Sequence, residues 1–165
     1  MKPSKITNVH AKLTKLLFKG YAAITWMGTI YCSKQTYVDA INATDTIDSG
    51  LKCHETIHVR QAESTKDSWC RYYLRYVWEW IKNIPLVFVE AHYVYLFNPF
   101  ELEAYTFEDD YDYPNSPCEY WRKLAKLSIK EKYRFAKKYN SSLYGIGKFV
   151  KVFIIPYVNE KESLI

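Results

Sequence analysis

The most regular stretch of the chain runs from Trp69 to Ile81. There Trp69, Tyr72, Tyr73, Tyr76, Val77, Trp80 and Ile81 recur at spacings of three, one, three, one, three and one, with Arg71, Arg75, Glu79 and Lys82 between them. This period predicts a helix with one aromatic face and one charged face. Upstream, residues 21–32 are rich in β-branched and aromatic types, with Ile24, Trp26, Ile30 and Cys32 on one alternating side. That pattern predicts one long strand, or a hairpin bent near Gly28. The polar stretch between Asp39 and Ser49 ends in good capping residues, so a second helix is predicted from near Asp48 or Ser49 to about Lys66.

Beyond the aromatic stripe, Pro85 should end or kink the helix, and residues 86–97 form a further apolar segment, helix or strand. From Val77 to Phe97 the hydropathy resembles a membrane span, but Glu79, Lys82, Asn83, Glu90 and His92 fall inside it and argue against one. Asn98-Pro99 opens another helix, since proline is favoured in the first turn. A basic helix carrying Trp121, Leu124, Leu127 and Phe135 is predicted over 119–139, and the tail from Tyr144 to Tyr157 reads as a strand or an apolar docking segment. The elements together predict an α+β fold, with one domain over 1–139 and a C-terminal extension over 140–165.

With 165 residues, 48% of them apolar and 18% aromatic, the chain has the means to bury a core and is too short for a two-domain enzyme. Its net charge of +5 is unevenly spread. Six acids and no base lie between Glu101 and Asp112, whereas ten bases lie between Glu119 and Lys151. No nucleic-acid-binding motif accompanies the basic run, so no nucleic acid partner is expected. Peripheral contact with a membrane surface, through the Trp69 to Ile81 face or the basic C-terminal third, is an alternative role for these features. Cys32, Cys53, Cys70 and Cys118 form no paired framework, which fits free thiols in a reducing compartment. The apolar run Leu16 to Phe18 is too short for a signal-peptide core, so the expected location is cytoplasmic, with or without membrane association.

His54-Glu55-Thr56-Ile57-His58 carries the chemistry. On a helix, residues four apart share a face, so both imidazoles can point at one metal ion while Glu55 reaches its water as a base. With four histidines in the chain, chance produces this five-residue pattern roughly 0.006 times. A catalytic zinc site takes three protein ligands and leaves one position open. The third histidine of the longer HExxHxxGxxH pattern is absent, because Gln61 and Ser64 stand at its last two defined positions. A downstream carboxylate should then complete the site. Glu101 and Glu103 are rivals that cannot both face the metal, and His92 and the acids at 108–112 are further candidates. Gln61 should lie near the face of His58, where it could orient a ligand or contact substrate. Tyr105, His92 and Arg60 are the candidates for steadying a developing oxyanion.

Residues 101–104, Glu-Leu-Glu-Ala, resemble the ExxA element of gluzincin metallopeptidases. Together with ITWMGTIYC, CHETIHVRQ, YYLRYVWEW and NPFELEAY, they make residues 18–138 similar to a family of small, mostly uncharacterised bacterial zincin-like proteins of compact gluzincin type. The resemblance implies a metal helix packed on the aromatic helix beside a small antiparallel sheet. It implies Zn2+ held by His54, His58 and Glu101, Glu55 as general base, and a peptide or protein substrate. Tyr105 stands where many gluzincins have Asp or Asn, and is a candidate to support a ligand or meet substrate. A non-catalytic binding protein with a structural metal, or a membrane-surface accessory protein, are the alternative functions.

Overall fold

Met27 and Gly28 sit at φ 51° and 79°, the pair of positive angles that a two-residue turn between right-twisted strands requires. The alternating segment is therefore a hairpin. The computed structural model describes residues 5–8, 22–44, 46–141 and 143–164. Among these, strands Lys5–Asn8 (β1), Ala23–Trp26 (β2) and Thr29–Cys32 (β3) form a sheet in the order β1-β3-β2. β2 runs antiparallel to β3, with Ala23 opposite Cys32, as expected. β1 runs parallel to β3, with Lys5 opposite Thr29, an addition that no local pattern announces. Helix α1 (Gln35–Asn42) covers one side of this sheet, burying Val38 and Ile41 with Ala23, Ile30 and Cys32.

Helix α2 (Gly50–Ser64) starts where Ser49 accepts a hydrogen bond from the Lys52 amide, and α3 (Trp69–Lys82) starts where Ser68 does the same for Arg71. Both satisfy amide donors that the first helical turn leaves unpaired. Pro85 lies in a short 3-10 turn, Ile84–Phe88, which breaks the apolar run after α3. The segment that was ambiguous between helix and strand is this turn followed by the single helical turn α4 (Tyr93–Leu96). Asn98 then caps α5 (Pro99–Phe107), buried on nearly every side, against which α2 packs. No helix among the described residues is long and apolar enough to cross a membrane.

Two expectations change in the C-terminal third. The basic helix over 119–139 is two helices, α6 (Trp121–Leu124) and α7 (Ile129–Lys138). Ser128 and Glu131 form a reciprocal capping box that starts the second helix, so the chain turns between them. The tail is not a strand. It runs as α8 (Ile146–Phe149), a π-helical stretch Val150–Ile154 and α9 (Ile155–Ser163). Its apolar residues are placed by burial rather than by strand propensity: Ile146, Phe149, Val150, Ile154 and Val158 join Leu86, Phe97, Leu102, Leu124 and Phe135 in the largest core cluster. The segment assigned to a C-terminal extension thus packs into the same core as residues 86–136.

Gly147 is the point of closest approach. A Cβ there would lie 2.0 Å from the Tyr105 carbonyl oxygen in α5, so only glycine lets α8 pack this near the helix that carries Glu101. Gly147→Ala should therefore destabilise the fold by about 1–3 kcal/mol, the usual cost of overpacking, read as a lowered denaturant midpoint with unchanged slope. An unchanged midpoint would mean that α8 does not dock on α5 in this way.

Candidate metal centre

α2 and α5 bring three polar side chains together in a buried place. His54 Nε2 and His58 Nε2 are 3.2 Å apart, and the Glu101 carboxylate lies 3.5 Å from the first through Oε2 and 3.4 Å from the second through Oε1. All three residues are buried. Zinc bonds of about 2.0–2.1 Å in tetrahedral directions separate neighbouring donor atoms by about 3.3–3.4 Å. The imidazole pair is close to that spacing, and each ring meets its own oxygen of the carboxylate, so two nitrogens and a carboxylate, a donor set that suits zinc, are gathered with one ligand atom of each within 4.8 Å of the others.

Each ligand candidate is fixed from behind. His54 Nδ1 is 3.0 Å from Glu108 Oε2. His58 Nδ1 is 2.8 Å from Gln61 Oε1, while Gln61 Nε2 donates to the Phe100 carbonyl at 2.9 Å and to Glu103 Oε2 at 2.7 Å. With both amide hydrogens engaged, Gln61 can only accept from His58, which puts the imidazole proton on Nδ1 and leaves Nε2 facing Glu101. Glu101 accepts from the Tyr76 hydroxyl at 2.8 Å and the Tyr95 hydroxyl at 2.5 Å. The Tyr105 ring meets His54 edge to face, with centroids 4.5 Å apart.

Charge follows from this packing. Burial alone would lower the pKa of His54, but hydrogen bonds to Glu101 and Glu108 and the negative charges of Glu101 and Glu55 outweigh it and lift the imidazole to about 10. His58 is also raised, with burial opposed chiefly by Glu101. Burial pushes the Glu101 carboxyl up, yet His58 and His54 hold it well below the usual carboxylate range. The metal-free cluster at neutral pH is therefore a carboxylate neutralised by imidazolium.

The structure separates the two rival carboxylates. Glu103, fully buried, accepts from the Tyr113 hydroxyl at 2.6 Å, the Tyr120 amide at 2.7 Å and Gln61, so it ties α5 to the following loop and braces Gln61. Glu101 is the carboxylate grouped with the histidines. Of the acids at 108–112, Glu108 touches His54 on its outer nitrogen. His92 is exposed. Arg60 donates to the Pro114 carbonyl at 2.7 Å and pairs with Glu63 at 2.6 Å. Neither His92 nor Arg60 lines the cleft beside the cluster, so the structure offers no support for either as an oxyanion donor.

That cleft encloses about 390 Å3 and is lined by Glu55, His58 and Glu101, by residues 23–26 of β2, and by the aromatic side of α3 including Tyr72, Tyr73, Tyr76 and Trp80. Glu55 is buried at its base, where the Thr25 hydroxyl donates to Oε2 at 2.7 Å. Trp26 stacks on Tyr73 with centroids 4.6 Å apart and joins the hairpin to α3 across the cleft. β2 lies at the edge of the sheet, so its outer main-chain groups are available for pairing among the described residues. The sequence gives Thr25, Tyr76 and Tyr95 no role at the site, and it offers Glu108 only among the acids at 108–112 as a metal ligand, not as the support of His54 that the structure shows. The first three lie in apolar patterns that read as packing, and Glu108 lies past the last turn of α5, where periodicity no longer tells direction.

No protein family, curated protein or solved structure matches the chain, so any functional reading rests on its own residues and their geometry.

Removing the Glu103 carboxylate strands the Tyr113 hydroxyl, the Tyr120 amide and one of the two Gln61 amide hydrogens, the other still donating to the Phe100 carbonyl. Glu103→Ala should cost on the order of 3 kcal/mol or more by chemical denaturation, since each stranded buried donor carries its own desolvation penalty. A loss well under 1 kcal/mol would remove Glu103 from this bracing role.

Proposed function

We propose that the chain is a zinc-dependent peptidase of the compact gluzincin type its sequence resembles. The observation that carries the reading is the grouping of His54 Nε2, His58 Nε2 and the Glu101 carboxylate at 3.2–3.5 Å, beside a cleft that also holds Glu55. When bound, zinc supplies Lewis acidity that brings the pKa of a water down to roughly 7. His54, His58 and Glu101 are the residues to hold it, and Glu108, Gln61, Tyr76 and Tyr95 keep those three in orientation.

The chain's remaining work is positioning and proton transfer. An extended polypeptide laid along β2 would pair with the strand's outer edge, which sets its scissile carbonyl beside the cluster. The aromatic walls of the cleft, Trp26, Tyr73, Tyr76 and Trp80, suit an apolar side chain next to the cleaved bond. Glu55, with Oε2 held by Thr25, takes the proton of the attacking water and passes it to the leaving amine. A site that only stapled two helices would need no carboxylate in that place.

Zinc binding tests the ligand set. The protein should take up one zinc per chain, His54→Ala or His58→Ala should abolish tight binding, and Glu101→Ala should weaken it far more than Glu103→Ala. Because His54 is raised to about 10, zinc must displace a proton from it across the neutral range. Affinity should therefore rise with pH up to about 10, and calorimetry in buffers of different ionisation enthalpy should show proton release. Undiminished affinity in a His54→Ala, His58→Ala double variant would contradict the assignment.

Catalysis turns on Glu55. Glu55→Gln keeps the shape and should keep fold and zinc, while cleavage falls at least about 10²-fold. Digestion of an unbiased peptide library by zinc-loaded, metal-stripped and Glu55→Gln protein is the measurement. Cleavage confined to the loaded wild type supports the reading. Zinc bound with no cleavage of any peptide would favour a structural metal, and cleavage equal in all three would place the activity elsewhere.

A further inference from the structure

The aromatic helix faces two ways. At about 100° per residue, Tyr72, Tyr76 and Glu79 of α3 point to the interior, and Trp69, Tyr73, Val77 and Trp80 point toward the cleft and its rim. Leu74, Trp78 and Ile81 continue the apolar surface outward, and the 3-10 turn adds Ile84, Val87 and Phe88. These are not edges of a core: Phe88 is 84% exposed, Leu74 68% and Trp78 53%. Across the cleft, the hairpin tip adds Trp26 and Met27, both more than half exposed. An exposed apolar patch of this make-up marks a surface that something covers.

The charges bordering the patch narrow what could cover it. Arg71, Arg75 and Lys82 form a row along α3 between the exposed apolar arc and the buried face. The only acid from residue 69 to 88 is Glu79, which is fully buried and paired with Arg75 at 2.9 Å and Lys82 at 2.6 Å. This whole element therefore shows solvent no carboxylate. Three cations against the one buried carboxylate leave this margin net positive, and aromatic and aliphatic side chains beside it are complementary to an anionic bilayer surface: rings enter the headgroup boundary and the excess positive charge faces phosphate. A second copy meeting the same face would bring two basic rows together, and charge disfavours that occupant.

We propose that the exposed arc of α3 and the adjoining 3-10 turn docks the protein on an anionic membrane surface, with the cleft rim at the interface. The inference is independent of the metal. In flotation assays the 165-residue chain should bind vesicles of phosphatidylcholine with phosphatidylglycerol more tightly than vesicles of phosphatidylcholine alone, and added salt should weaken the binding. Trp78→Ser with Phe88→Ser should lower vesicle affinity at least about tenfold while leaving the thermal melt unchanged, because both side chains are already exposed. Leu74→Gln gives a second, milder test of the same arc, and Arg71→Glu should weaken binding to the anionic vesicles only. Failure of the wild type to bind either vesicle would overturn the proposal. So would binding that the double substitution leaves intact, which would move the contact to the basic C-terminal third, or a dimer in solution that the same substitution dissolves without any vesicle binding.

Discussion

Two imidazoles and a carboxylate packed at 3.2–3.5 Å, buried except where they border the cleft, are the constraint on which the rest of the structure depends. Such groups are costly to bury unless every remaining donor and acceptor finds a partner. Here each does. Glu108 and Gln61 hold the outer nitrogens, Tyr76 and Tyr95 donate to the carboxylate, and Gln61 is itself held by the Phe100 carbonyl and Glu103. The cluster therefore dictates which helices meet: α2 and α5 carry the three central groups, α3 supplies Tyr76, α4 supplies Tyr95, and the residue after α5 supplies Glu108.

The packing beneath serves the same arrangement. Phe100 stacks on Trp121 at a centroid separation of 4.4 Å and meets Tyr72 edge to face, so one apolar contact fixes α5 between α6 and α3. Gly147 lets the C-terminal helices lie directly on the backbone of α5 from the other side. The carboxylate of Glu101 is thus set by a helix gripped from several directions. A displacement of even about 1 Å there would part the carboxylate from the two imidazoles. The open side is left to β2 and the aromatic side of α3, the elements that line the cleft.

The local signals were legible because they are short in range. Ser49 as a cap, Asn98-Pro99 as a helix start and the positive-φ turn at Gly28 each act within a few residues, and α2, α5 and the hairpin stand where those signals put them. The i, i+4 spacing of His54 and His58 placed both rings on one face, and the two-residue offset of Glu101 and Glu103 told that only one could join them. Which one was open from periodicity alone, because it depends on how α5 is rotated against α2. Long-range effects were not legible. The parallel pairing of β1 needs a partner 24 residues away, and the tail residues Val150 to Ile155 have strand-like composition but helical structure because the core around Phe97 and Phe149 accepts one side of a helix. The capping box at Ser128 and Glu131 was in the sequence, three residues apart, and marks the break that the basic period conceals.

The most direct test of the account is X-ray absorption at the zinc edge of the zinc-loaded protein. The account predicts a four-coordinate ion with two imidazole nitrogens and two oxygens at about 2.0–2.1 Å, one oxygen from Glu101 and one from water, and no sulfur. A sulfur scatterer at about 2.3 Å, as one of the four cysteines would give, or a shell lacking the outer-ring signature of two histidines, would contradict it.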